Sequence, residues 1–248
     1  MKKILFAIAL AVVATACHTF DGDTTATQEG SIVIDAATRS EVTNSAEEGR
    51  FLLSDTDVPA AEELQVKIEG NDEVKTWATL ADFNAAVAEG LRFISAPYTI
   101  TLWYGEKGVE GWSKPYFEGS TSVEVPMYAL TAKANIEVKL QNSIVAVETT
   151  DEFNGYYPQS SFKVKNFEWV ADKGESLYLN VGSVKVTCEA VSQLGKSRTF
   201  ETTITLKPTT RHRVVFDLST AGSADVQVIF DGTIVEVVES EFELNENA

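Results

Sequence analysis

The sequence is poor in the residues that most often carry chemistry. Its 248 positions hold two cysteines and two histidines. Two cysteines cannot build a disulfide framework, so the fold has to rest on its core. His18 lies in a polar stretch and His212 in a strand pattern, which argues against a shared metal site or a histidine proton relay. Basic residues are scarce as well. Lys and Arg number 20 against 37 Asp and Glu, for a net charge of −17. Nucleic acid is excluded as a partner, because affinity there comes mainly from basic groups replacing phosphate counterions. Long apolar runs are missing too: the longest, Ile4 to Val13, is half of the roughly 20 residues that a membrane-spanning helix needs.

The motifs of catalysis are equally thin. There is no G-x-S-x-G elbow, no H-E-x-x-H, no C-x-x-C and no phosphate loop. With 37 acids some carboxylates will meet in the fold, yet no constellation points to a glycosidase pair. Ser54-Asp55-Thr56-Asp57 and Asn71-Asp72-Glu73 set hard oxygens in turns. Neither has calcium-loop spacing, and capping the turns is the simpler role. The expectation is a protein that is not an enzyme and has no cofactor and no metal.

What is present begins with a targeting segment. Lys2 and Lys3 form a charged start, Ile4 to Val13 an apolar stretch, and Ala14-Thr15-Ala16 precedes Cys17. Residues 1–16 read as a signal peptide. Small residues directly before a cysteine resemble the lipobox of bacterial lipoproteins, which makes Cys17 the expected lipidation site; the usual Leu is replaced by Ala14. An ordinary A-x-A cleavage site would cut the same bond. Cleavage removes two lysines and no acid, so the net charge moves from −17 to −19. Residues 17–30 read as the lipidated cysteine and a flexible tether, with a reach of roughly 20 Å by random-coil scaling. Asp21 and Asp23 resemble acidic signals that export lipoproteins to the outer face of the outer membrane, although aspartates also simply solvate a linker. Cys188 is then alone in the mature chain. It alternates with Val184, Val186 and Ala190 on one strand face, which reads as a buried structural thiol.

From Ser31 onward the apolar period is two. Leu64, Val66 and Ile68 form one such face, Tyr98, Ile100, Leu102 and Tyr104 another, and Ile136, Val138 and Leu140 a third. The pattern returns at Phe162 and Val164, at Phe167 and Trp169, from Phe200 to Leu206 and from His212 to Leu218. These are expected to be half-buried antiparallel strands. Asp231-Gly232, between two β-branched runs, predicts a two-residue hairpin turn. One short helix is expected at Ala81 to Glu89, stopped by Gly90. The expected fold class is all-β: two consecutive antiparallel β-sandwich domains, Ig-like or transthyretin-like, with that one helix. The boundary is placed near Ala129 to Ala134, giving an N-terminal sandwich over 31–130 and a C-terminal one over 131–248.

Several blocks carry a family resemblance: Tyr98 to Gly105, Glu110-Gly111-Trp112, Lys114-Pro115-Tyr116-Phe117-Glu118-Gly119-Ser120, and Lys139 to Ser143 leading to Thr150-Asp151-Glu152-Phe153. Together they resemble a domain-of-unknown-function family of surface lipoproteins from Gram-negative gut anaerobes, loosely grouped with fimbrillin-like adhesins. The resemblance spans roughly Ser31 to Glu236. It implies a two-sandwich protein anchored by its lipid to the outer membrane, exposed at the cell surface and adhesive or structural in role, with no catalytic residues to carry over.

The residues most suggestive of binding are Trp112, Tyr116 and Phe117, in the long connection from Gly105 to Gly119. Exposed aromatic faces there could stack on sugars or anchor a partner protein. Large aromatics more often plug a core or a domain junction. Two functional expectations stand: a surface lipoprotein with a fimbria-like adhesive or structural role, and a glycan-binding lipoprotein of a polysaccharide-uptake system. The segment from Glu236 to Ala248 is too acidic to suit a donor strand.

Overall fold

The computed structural model describes residues 29–38, 41–44, 50–53, 57–127, 130–171, 173–218, 224–230 and 233–239. The targeting segment, His18, Cys17 and its tether to residue 28, Ser54-Asp55-Thr56 and Asp231-Gly232, both expected as turns, and the acidic end beyond Glu239 lie outside the described residues.

Nearly all the secondary structure is β. The first half supplies β1 (Glu29–Thr38), β2 (Glu41–Asn44), β3 (Arg50–Leu52), β4 (Gln65–Gly70), β5 (Glu73–Trp77), α1 (Leu80–Ala88), β6 (Phe93–Ile94), β7 (Pro97–Tyr104), β8 (Gly111–Trp112), β9 (Phe117–Glu124) and β10 (Thr131–Leu140). The second supplies β11 (Ser143–Thr149), α2 (Asp151–Tyr156), β12 (Gln159–Val164), β13 (Phe167–Trp169), β14 (Leu177–Leu179), β15 (Gly182–Val191), β16 (Ser197–Leu206), β17 (Thr210–Leu218), β18 (Ala224–Phe230) and β19 (Thr233–Glu239). No helix among the described residues is long and apolar enough to cross a membrane.

Seven strands make the first sheet, in the order β5-β4-β7-β9-β10-β1-β6. Asn71 and Asp72 take φ of 51° and 59°, the positive values that a two-residue hairpin with right-handed twist demands, and they join β4 to β5. β9 pairs with β7 along its whole length, from Phe117 opposite Tyr104 to Glu124 opposite Pro97. With β10 it shares only two pairs, Phe117 with Leu140 and Glu118 with Lys139. The sheet therefore turns a corner there, and its two wings enclose a core containing Ile32, Val66, Ile68, Ile100, Leu102 and Val138. Gly119 sits at the corner, where a Cβ would come within 2.3 Å of the Glu137 carbonyl oxygen. α1 caps the enclosed core with Leu80 and Phe83, both buried. Its start is fixed by Thr79, whose hydroxyl accepts the Asp82 N–H at 3.0 Å, an N-cap bond that satisfies one of the helix's unpaired donors.

The second core lies between an eight-stranded and a four-stranded sheet. The eight-stranded one runs β19-β18-β17-β11-β14-β8, with β2 on β17 and β3 on β2, and the four-stranded one runs β13-β12-β15-β16. Val145, Val147, Val214 and Phe216 face Val184, Val186, Phe200 and Ile204. α2 closes one end. Thr150 caps it by accepting the Phe153 N–H at 3.2 Å, and Phe153 lies fully buried against Phe200 and Phe216. This second helix was not expected. Cys188 is buried in the same core, where desolvation pushes its thiol up to about 12.

Two further differences from the sequence reading concern pairing. β1 runs parallel to β10, with Ile32 opposite Ala132 and Ile34 opposite Ala134, and β11 runs parallel to β17. Alternation places a residue on a face but says nothing of the neighbour's direction, so the seven- and eight-stranded sheets are mixed, while the four-stranded sheet is antiparallel throughout, as expected. β10 belongs to the first sheet, and the chain changes sheets at Gln141-Asn142, after Leu140 and before Ser143. The paired β18 and β19 form the hairpin expected on either side of Asp231-Gly232, with Phe230 opposite Thr233.

His212 stands on β17 with its ring fully buried, and its Nε2 accepts the Lys207 N–H at 3.1 Å. Burial lowers its pKa from 6.5 to about 4. The unfolded chain therefore takes up a proton first as the pH falls. Stability that is intact above pH 6.5 should drop by about 3 kcal/mol as the pH approaches 4. Urea unfolding at pH 7.5 and 4.5 should show this loss in the wild type and little of it in His212→Gln, whose amide oxygen can still accept from Lys207.

Candidate functional site

The connection from Gly105 to Gly119 crosses from the first sheet to the second and back. Gly105 has φ of +82°, and a Cβ on it would lie 2.2 Å from the Pro115 carbonyl oxygen, so the two ends of the loop touch at its root. At its far end the loop becomes β8, which pairs with β14: Trp112 stands opposite Leu177 and Gly111 opposite Tyr178. The Ser113 N–H donates to the Ser176 carbonyl at 2.9 Å. Glu110 fastens the same junction through both oxygens. Oε1 accepts the Asn180 N–H at 3.0 Å, and Oε2 pairs with Lys165 Nζ at 2.6 Å.

The return limb is fastened by Gln141 and Asn142, the residues at which the chain changes sheets. Asn142 is buried. Its Nδ2 donates to the Lys114 carbonyl at 2.9 Å, and its Oδ1 accepts the Tyr116 N–H at 3.3 Å. The Gln141 N–H donates to the Tyr116 carbonyl at 2.8 Å. The Tyr116 hydroxyl donates to Glu118 Oε2, which also pairs with Lys107 Nζ at 3.2 Å. That hydroxyl bond, with Lys107, holds the Glu118 carboxyl below its ordinary range, while burial and then the Glu118 carboxylate raise the phenol's pKa. Across the junction the Tyr178 hydroxyl donates to Asp57 Oδ2 at 2.9 Å.

The three aromatics expected to bind a ligand are not brought together. Phe117 is fully buried in the first core, and Tyr116 is buried as well. Neither offers a face to a ligand: Phe117 fills the first core, and Tyr116 has its hydroxyl on Glu118 and the Lys107 ammonium 5.9 Å from its ring centroid. Trp112 is half-buried and packs on the second core. Its ring lies 5.2 Å from that of Trp169, tilted by 36°, and Lys173 Nζ stands 4.3 Å from its centroid. The aromatic motif is a clasp between the two halves of the fold.

A cleft of about 1000 Å³ opens beside it, lined in part by Trp169, Phe162, Glu148, Asn154, Ser160 and Arg211. Its origin is topological. β14 pairs with β11 only as far as Leu177 opposite Val145, so the segment from Ala146 to Thr149 has β17 on one side and, among the described residues, no strand on the other. Arg213 grips Glu148, with Nε 2.9 Å from Oε1 and Nη2 2.5 Å from Oε2. This bond holds the Glu148 carboxyl below its ordinary range despite burial. Burial lowers the pKa of the Arg211 guanidinium. No group of three or more His, Cys, Asp and Glu suited to a metal occurs among the described residues. Sequence reasoning missed this cleft because its walls come from segments spread along the chain from Asp57 to Arg211.

A family model described as a domain of unknown function, DUF4493, matches residues 24–246. No curated protein matches the chain. Among solved structures the chain is similar to a fimbrial assembly protein from Parabacteroides distasonis, at 7% identity and a TM-score of 0.47, covering 81% of this chain and 94% of that one. It is similar to a candidate cell adhesion protein from Bacteroides eggerthii, at 7% identity and a TM-score of 0.42, covering 79% and 88%. A third similar structure, a candidate polysaccharide-binding protein from Bacteroides thetaiotaomicron, shares 9% identity at a TM-score of 0.38, covering 69% and 88%.

The clasp makes a direct claim on stability. Phe117→Ala should cost about 4 kcal/mol, as for other buried Phe truncations. Trp112→Ala, half-buried, should cost about 2 kcal/mol from lost area and the contact with Trp169. Urea unfolding measures both; a loss below about 0.5 kcal/mol at Trp112 would mean that it is not part of the junction.

Proposed function

We propose, from the premise that the chain belongs to the DUF4493 family of unknown function, that it is a cell-envelope surface lipoprotein with a non-catalytic adhesive or structural, fimbria-like role. Cys17 carries the lipid in this reading, at the outer membrane, and the chain from there to residue 28 holds the body away from it; Glu29 and Gly30, expected in the tether, belong to β1, where they pair with Ile94 and Phe93. The observation that carries the proposal is the clasp. A protein that bears load between a membrane and a partner needs its units joined so that force does not peel them apart. A strand inserted from one half into the sheet of the other resists such peeling through main-chain hydrogen bonds. The acidic surface adds to this. Its net charge repels anionic lipid headgroups and favours standing clear of the membrane. The division into two sandwiches is part of the same proposal, with its boundary at Gln141-Asn142, where the chain changes sheets.

A second reading, a glycan-binding lipoprotein of a polysaccharide-uptake system, is favoured by the cleft that Trp169 lines. It shares the anchor and the surface location with the first.

The test is expression in a Gram-negative host that processes lipoproteins. Mass spectrometry should find the mature chain starting at a lipidated Cys17. Protease added to intact cells should remove the body, and the cells should gain adhesion to immobilised host-matrix proteins or glycans. Cys17→Ala should release the protein into the soluble fraction and abolish that adhesion. A membrane-bound Cys17→Ala variant, or a body shielded from protease, contradicts the proposal.

A further inference from the structure

We propose that the cleft beside the open edge of β11 is a subsite for a neutral hexopyranose unit of a polysaccharide, and that it discriminates against uronate-containing chains. The inference rests on the glycan-binding reading and assigns the ligand's chemistry.

Three properties of the cleft meet here. Trp169 lines it only half-buried, and its indole is braced by Trp112, whose ring lies 5.2 Å away. A braced indole is a rigid apolar plate, suited to the C–H face of a pyranose ring and costly to leave against water. Around the plate stand groups that match vicinal hydroxyls: the Arg211 fork of donors, the Glu148 acceptors, the Asn154 amide and the Ser160 hydroxyl. The Ala146–Thr149 edge, where β14 has ended, adds main-chain groups of both kinds. A sugar hydroxyl both donates and accepts, so donors and acceptors side by side recognise it better than donors alone.

The charges point to a neutral sugar. The described residues lining the cleft include Asp57, Glu148 and Glu175 against Lys173 and Arg211. The carboxylates are engaged: Glu148 by Arg213, Glu175 by Lys173 at 3.2 Å, and Asp57 by the Tyr178 hydroxyl. Such an arrangement fixes orientation without gathering positive charge. A carboxylated sugar would bring a further anion into a cleft where carboxylates already match or outnumber cations, on a chain whose net charge is −17, and like charge at close range is a strong device for rejection. A volume of about 1000 Å³ is at the upper end for small-ligand sites and leaves room for more than one ring.

The experiment is isothermal titration of the full mature chain with malto-, cello- and mannohexaose, and with hexagalacturonate of the same length. At least one neutral hexaose should bind, with hexagalacturonate at least about tenfold weaker at low salt. Trp169→Ala should weaken binding about tenfold or more. Because that variant could also loosen the clasp, Asn154→Ala and Ser160→Ala, both at exposed positions, supply the second arm and should each weaken binding several-fold with unchanged unfolding midpoints. Hexagalacturonate binding as well as or better than the neutral chains overturns the neutral-sugar inference and leaves glycan binding standing. Binding of none of the four sugars overturns both. Binding untouched by all three variants places the sugar elsewhere and overturns this site.

Discussion

The two-residue ladder between Gly111-Trp112 and Leu177-Tyr178 is the constraint on which the rest of the molecule depends. It draws a loop of the first sheet across into the second, and the outgoing and returning limbs of that loop meet closely at its root, at Gly105 and Pro115. The return limb has to land on Phe117, the residue at which the first sheet turns its corner. Clasp and corner are therefore one device. Tyr116 orients the limb, Phe117 fills the first core, Glu118 holds the Tyr116 hydroxyl, and Gly119 allows the Glu137 backbone to pass close by. The density of unusual residues around Pro115 follows from these demands, with no ligand needed to explain them.

The polar groups of the interior serve the same junction. Asn142 satisfies two main-chain groups of the limb, Tyr178 reaches Asp57, and Glu110 bonds Asn180 and Lys165. Each is a buried or half-buried group with a defined partner, which is what makes such groups specify one arrangement; losing a partner costs more than the bond contributes. The exposed charges have less to do with stability. Lys185 with Glu201 and Lys67 with Glu69 lie on outer sheet faces, where a pair contributes little in water. The excess of acid remains outside, so its consequence is long-range repulsion and solubility.

Much of the fold was legible because burial on one face of a strand is written into alternation. Val66 and Ile68, Ile100 and Leu102, and Val184, Val186, Cys188 and Ala190 are buried as their spacing requires. Leu80 and Phe83 likewise place α1 against the core, at Leu80–Ala88 where a helix from Ala81 to Glu89 was expected. Partner choice is a different matter. Nothing in Ile32-Val33-Ile34 encodes that β1 lies parallel to a strand 100 residues away, since the same pattern would serve an antiparallel neighbour. α2 escaped notice because six residues are too few for helical periodicity, although Thr150 followed by two acids is the cap that begins it. For the candidate site, Trp112, Tyr116 and Phe117 were visible as a motif but not as a function, because an aromatic that stacks on a sugar and one that plugs a junction look alike in sequence. The cleft beside Trp169 was not legible at all, since it exists only where β14 stops short of the end of β11.

The central claim is that the crossing loop is structural, a strand of the second sheet that locks the two halves together. Native-state hydrogen exchange on the mature chain tests it most directly. The account predicts that the amides of Ser113 and Asn180, at the β8–β14 junction, and of Tyr116 and Gln141, at the return limb, exchange only through openings as costly as those of the core amides of β7 and β11. Exchange of these four amides at rates typical of surface loops, while the cores stay protected, would contradict it.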